Sequence, residues 1–228
     1  MKALFVNGSP RKKWTTVKLL ESAMQGATDA GAEVELVHLY DAAFKGCVSC
    51  FACKLKNAKT NGLCAFKDAL TPTLEKAREA DVIVIGAPIY FSHATGATLA
   101  FMERLLFPWL TYDPKIDSTT GEIAERGMTT LDKFVPTGMI YSMGAPKEMT
   151  EQYHYPHILG ENERFMKAIY GYCETLCSYC GYQFNDYSKY AVMDGVEEAR
   201  AKYRAEELPK DLQNAYDLGK RLVETARK

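Results

Sequence analysis

Short apolar runs alternate along this chain with segments whose apolar residues recur every third or fourth position, and no other feature restricts its folding so tightly. Lys2 to Val6 reads as a strand, and Thr16 to Ala30 as a helix with Val17, Leu20, Met24 and Ala27 on one face, closed by Gly31. Glu33 to Leu39 alternates polar and apolar residues, as an edge strand does. A helix follows from about Asp68 to Glu79, with Pro72 tolerated in its first turn. Val82 to Ala87 is apolar on both faces, the mark of a central parallel strand. Thr95 to Phe107 carries Leu99, Met102 and Leu106 on one helical stripe. Thr137 to Tyr141 is read as a fourth strand, Glu163 to Tyr179 as a fourth helix and Tyr182 to Tyr190 as a fifth strand. Helices around Val196 to Glu207 and Lys210 to Ala226 finish the chain.

Such alternation predicts an α/β fold in which a parallel sheet is covered on both faces. An edge-like second strand beside buried first and third strands suits a flavodoxin-like three-layer sandwich, five parallel strands in the order 2-1-3-4-5. The chain is read as one domain, residues 1–228, with a C-terminal helical extension over about 194–228. Pro108 to Lys133 and Ala145 to Asn162 fit no element and are read as insertions over about 108–133 and 145–162; excursions this long serve as lids or contacts between subunits.

Charged residues make up 25% of the chain and hydrophobic ones 47%, enough for a sizeable core. A net charge of −1 gives a nucleic acid or a membrane surface no basic face to bind, so neither is expected as a partner. The first apolar run is too short for a signal peptide, and no segment reaches the length of a membrane span, so a cytoplasmic location is expected. In that compartment the seven cysteines are expected to be reduced.

Asn7-Gly8-Ser9-Pro10-Arg11-Lys12-Lys13-Trp14-Thr15-Thr16 joins the first strand to the first helix. A helix N-terminus presents unpaired N–H groups and partial positive charge, which suits a phosphate. Ser9, Thr15 and Thr16 add hydroxyls and Arg11 a forked cation. Neither the dinucleotide G-x-G-x-x-G nor the Walker pattern is present, which leaves a monophosphate as the simpler ligand.

Gly8-Ser9-Pro10-Arg11 followed by Thr15-Thr16 resembles the phosphate loop of the NAD(P)H-dependent FMN reductase family, one branch of which is the iron–sulfur flavoproteins. The family commonly has Gly-Asn-Thr where Trp14-Thr15-Thr16 stands here, so only Thr16 matches outright. Gly86-Ala87-Pro88-Ile89-Tyr90-Phe91, after the most buried strand, resembles the segment that runs alongside the flavin ring. Tyr141-Ser142-Met143-Gly144 occupies the place of the third flavin loop. The resemblance thus implies FMN held by Ser9, Arg11, Thr15, Thr16, Pro88, Ile89, Tyr90, Phe91, Ser142, Met143 and Gly144. It implies NAD(P)H as transient reductant, a small-molecule acceptor such as a flavin or quinone, and a homodimer or homotetramer. Hydride transfer belongs to the cofactor, so no side chain is assigned as catalytic.

Cys47, Cys50, Cys53 and Cys64 form a C-x2-C-x2-C-x10-C pattern after the second strand. The main reading gives them no metal and packs them near the flavin or a subunit contact. An alternative makes them ligands of a [4Fe–4S] cluster in an iron–sulfur flavoprotein electron carrier, although the last gap is longer than usual in that branch. A further alternative is a non-enzymatic flavin-binding redox module. Cys173 and Cys177, at i and i+4, read as part of a helical apolar stripe. The Tyr153 to His157 segment reads as a flavin cover or a solvated loop, and His93 as a flavin contact or a helix cap.

Overall fold

The structure is a computed structural model describing residues 1–58 and 60–228. Its first half runs β1 (Lys2–Asn7), α1 (Thr15–Asp29), β2 (Glu33–His38), α2 (Thr71–Glu79), β3 (Val82–Tyr90), the two-residue β4 (His93–Ala94) and α3 (Gly96–Leu106). The second half holds β5 (Val135–Ser142), α4 (Lys147–Gln152), α5 (Tyr155–Tyr170), β6 (Gly171–Ser178), α6 (Val196–Glu206) and α7 (Leu208–Thr225). The five long strands are parallel in the order β2-β1-β3-β5-β6, while β4 folds back antiparallel on the end of β3. Leaving out that short hairpin strand, this is the expected flavodoxin-like order.

Strand β3 shows why the sheet needs two covering layers. Ile83 and Ile85 enter one core with α2, α3 and α5, while Val82 and Val84 enter the other with α1 and α7. All four are fully buried, each contributing about 1.5–3 kcal/mol of hydrophobic stabilisation. Helices α1 and α7 approach closely because both carry glycine at the crossing. A Cβ on Gly219 would stand 1.9 Å from the Ala23 carbonyl oxygen.

The second half corrects four expectations. The helix expected over Glu163 to Tyr179 begins earlier and stops at Tyr170, because Gly171 takes φ 98, a conformation that favours glycine. The fifth parallel strand is therefore Gly171–Ser178, not Tyr182 to Tyr190, which forms a loop around a short 3-10 turn. Cys173 and Cys177 are apolar packing as expected, but on a strand, with Tyr172 and Leu176 on its opposite face. The Ala145 to Asn162 excursion holds all of α4 and the first half of α5. Pro108 to Lys133 is mostly irregular, tied by isolated bridges between Leu110 and Thr129 and between Ile116 and Ile123. Among the described residues no helix is long and apolar enough to cross a membrane.

Candidate functional site

At the carboxyl edge of the sheet, β1 ends in a loop that is braced from three sides. The buried Asn7 side chain accepts a hydrogen bond from Ser9 N at 2.9 Å and donates to the Ser9 carbonyl at 3.1 Å, which bends the chain. Gly8 N donates to the Gly86 carbonyl at 2.7 Å, tying the loop to β3. Thr95, the N-cap of α3, donates its hydroxyl to the Gly8 carbonyl at 2.7 Å. The Ser9 hydroxyl accepts from Arg11 N at 3.1 Å.

Helix α1 then begins at Thr15 with no side-chain cap. Val17 N donates to the Trp14 carbonyl at 2.9 Å, which leaves the Thr15 and Thr16 N–H groups to face an anion. Thr16 and Ser142 share a hydrogen bond at 2.6 Å between their hydroxyls, joining this helix start to the end of β5. The Arg11 guanidinium lies 4.5 Å from the centre of the Trp14 ring and donates to the Gln183 carbonyl at 2.6 Å.

Ten of the eleven residues named for FMN line one cavity of about 250 Å³: Ser9, Arg11, Thr15, Thr16, Pro88, Ile89, Tyr90, Ser142, Met143 and Gly144. They come from the loop after β1 and the start of α1, the end of β3, and the end of β5 with the turn after it. No Asp or Glu lines this cavity, so nothing in its wall repels a phosphate. Phe91 stands apart. With Ser92 it forms the two-residue turn between β3 and β4, at φ 50 and 69, and its ring is 99% exposed. A positive φ at both central positions is what a tight hairpin of this hand requires, and it turns the Phe91 ring to solvent.

Trp14, Gly181, Tyr182, Gln183 and Phe184 also line the cavity and were missed. The last four belong to the loop after β6, and reading Tyr182 to Tyr190 as a strand concealed them. Their one signal was the cluster of aromatics at 182–190. None of His93, His154 and His157 lines the cavity. His93 pairs with Tyr90 in the hairpin, and His154 precedes α5.

Cys47, Cys50, Cys53 and Cys64 meet at a separate cleft of about 10 Å³, walled by Phe66, Arg104 and Phe107. Burial pushes the Cys53 thiol up, Lys54 opposes the rise, and Cys64 and Cys50 add to it. Four thiols are a suitable donor set for iron. However, the cleft is about the size of one water probe, and among the described residues no three such groups stand where they would hold a metal ion. This arrangement does not fit a cluster, and no step is derived through one.

The segment carrying these cysteines is fastened by Arg104, only 1% exposed. Its Nη1 donates to Asp68 at 2.6 Å and to the Lys45 carbonyl at 3.0 Å, and its Nη2 to the Phe66 carbonyl at 2.7 Å. Burial raises the Asp68 carboxyl, but hydrogen bonds from Arg104 and from the Leu70 and Lys45 amides outweigh it and hold the group below its ordinary range.

The sequence model of the family described as NADPH-dependent FMN reductase matches residues 1–122 of the 228. The chain belongs to this family. It is a family of oxidoreductases with FMN and a reduced nicotinamide as cofactors. An iron–sulfur flavoprotein of Archaeoglobus fulgidus is 41% identical over 104 residues, 46% of this chain and 48% of that protein. One from Methanocaldococcus jannaschii is 32% identical over 104 residues, 46% of this chain and 51% of the relative. The match thus spans about half the length of these curated relatives. Among solved structures, an NAD(P)H:quinone oxidoreductase from Methanothermobacter marburgensis superposes with a TM-score of 0.62 at 15% identity, over 97% of this chain and 96% of that one. An azoreductase from Bacillus anthracis gives 0.61 at 15%, over 97% and 99%. At such identities these two establish the fold that this member of the family shares with them.

Proposed function

We propose that the chain holds FMN at the cavity after β1, β3 and β5 and acts as an NAD(P)H oxidoreductase toward a small-molecule acceptor such as a flavin or quinone. The observation that carries this reading is the convergence of ten of the eleven named residues on one cavity. When bound, FMN supplies the chemistry of taking a hydride from the nicotinamide and passing electrons to the acceptor. Arg11 and the open N–H groups of α1 neutralise the phosphate. Pro88, Ile89 and Tyr90 offer a flat apolar wall, and the Ser142 to Gly144 turn brings main-chain groups toward the polar edge of the ring.

The test is an absorbance spectrum of the purified protein followed by anaerobic titration with NADH and with NADPH. A yellow spectrum bleached by either supports the reading; absence of flavin after reconstitution overturns it. Bound flavin that neither nucleotide reduces points to the non-enzymatic flavin module instead. Arg11→Ala should weaken FMN binding about 10- to 100-fold, the loss expected for one charge-assisted contact.

The reading includes a homodimer or homotetramer in the cytoplasm. Exposed Phe51, Tyr112 and Phe165 around one apolar groove support self-association, which sedimentation velocity measures. The iron–sulfur alternative rests on the curated relatives, which are iron–sulfur flavoproteins by name, while the small cleft at the four cysteines speaks against it. Iron and acid-labile sulfide in anaerobically purified protein would decide for it.

A further inference from the structure

Behind the phosphate loop lies a second cavity, about 380 Å³, within the range of roughly 300–1,000 Å³ usual for small-molecule pockets. It shares Trp14, Thr15, Gly181, Tyr182 and Phe184 with the flavin cavity, so the two adjoin along the start of α1 and the loop after β6. Its lining includes Lys13, Lys18 and Arg204 and contains no carboxylate. Among the described residues none of these three cations forms an ion pair, whereas neighbouring Lys12 holds Asp41 at 2.6 Å.

Five aromatic residues, Trp14, Tyr179, Tyr182, Phe184 and Tyr203, also line this cavity. Arg204 lies 5.2 Å from the centre of the Tyr182 ring. The Tyr203 hydroxyl donates to Asp211 at 2.8 Å and accepts from Tyr179 N at 3.1 Å. Ser178, 1% exposed, also lines the cavity, beside the Tyr203 hydroxyl and the Asp211 carboxyl. Unpaired cations beside aromatic rings suit a ligand with a phosphate and a flat base.

We propose that this cavity is a subsite for the adenosine-phosphate part of a nucleotide. The inference extends the flavin reading, on which its position beside the FMN phosphate rests. Two molecules carry this chemistry to such a place. FAD would continue from the flavin cavity through its diphosphate, and NAD(P)H would leave its adenosine end here.

The probe is AMP, titrated by calorimetry into both flavin-free and FMN-loaded protein. Binding to both is expected, weakened about tenfold or more by Lys18→Ala with Arg204→Ala, while FMN affinity, read by flavin fluorescence quenching, stays within about twofold. If FAD is the source, flavin-free protein binds FAD at least about tenfold tighter than FMN, and FAD-loaded protein no longer binds AMP. If NAD(P)H is the source, AMP raises the KM for NAD(P)H without lowering kcat. No AMP binding at millimolar concentration, or binding indifferent to the double substitution, overturns the proposal. Failure of the protein to bind any flavin, with AMP still bound, overturns the flavin reading and leaves the AMP result standing.

Discussion

Replacing Asp68 by Asn tests whether burial or distance sets the worth of an ion pair in this fold. The Arg104 side chain is 0% exposed and Asp68 16%, with N and O at 2.6 Å. Asp68→Asn removes the carboxylate paired with a guanidinium that keeps the Lys45 and Phe66 carbonyls as acceptors. Breaking a buried pair costs about 3–5 kcal/mol. Asp68 sits at the rim and two acceptors remain, so the lower end applies, about 3 kcal/mol. For a chain of this length that lowers Tm by about 6–12 °C.

The Lys76–Glu35 pair is the control. It is as short, at 2.5 Å, but 45% and 52% exposed, and Lys76→Gln should cost under about 1 kcal/mol. Urea melts at neutral pH compare the three proteins. The sign of the pH dependence follows from Asp68 being held below its ordinary range. Its contribution is present above about pH 4, the unfolded value, and is lost as pH falls through the folded one. The gap between wild type and Asp68→Asn should therefore narrow in acid. A loss below about 1 kcal/mol at neutral pH, or a gap that widens in acid, refutes the reasoning.

Gly8→Ala places a Cβ 1.9 Å from Thr98 Oγ1 and 3.2 Å from the Gly86 carbonyl, so the phosphate loop must shift. A loss of about 1–3 kcal/mol, with weaker FMN binding by fluorescence titration, is expected; unchanged affinity would count against the loop as the phosphate cradle. Gly219→Ala drives a Cβ against the Ala23 main chain, which has no side chain to rotate away. Thermal unfolding should show about 1–3 kcal/mol lost while flavin affinity is unchanged. Burial pushes the Cys173 thiol up to about 12 and the Cys177 thiol up to about 11, whereas Cys50 is exposed. A thiol reagent near pH 8 should modify Cys50 first and Cys173 last, as peptide mapping reads out. Raised folded pKa values keep their stabilisation below about pH 8.5 and lose it as pH climbs, so alkaline melts should weaken, less so in Cys173→Ala.

Local periodicity was enough to locate β1, the loop after it, α1 and the doubly buried β3, because each announces its environment within a few residues. Val82 to Ala87 is apolar at every position, and only a strand covered on both faces suits that. Ten of the named site residues lie at the carboxyl ends of three such strands or just beyond them, at one edge of the sheet. Strand β6 was hidden because Cys173 and Cys177 fit a helical stripe as well as one face of a strand; pairing with β5 decided between them. Only that pairing brings Gly181 to Phe184 beside Arg11 and opens the second cavity next to the first. Nor does any local pattern show that Arg104 is buried against Asp68, since a charge reads as surface until its partner arrives from 36 residues away. Periodicity reports which face of an element is dry, while the neighbour across the gap is set by the packing of segments distant in the chain.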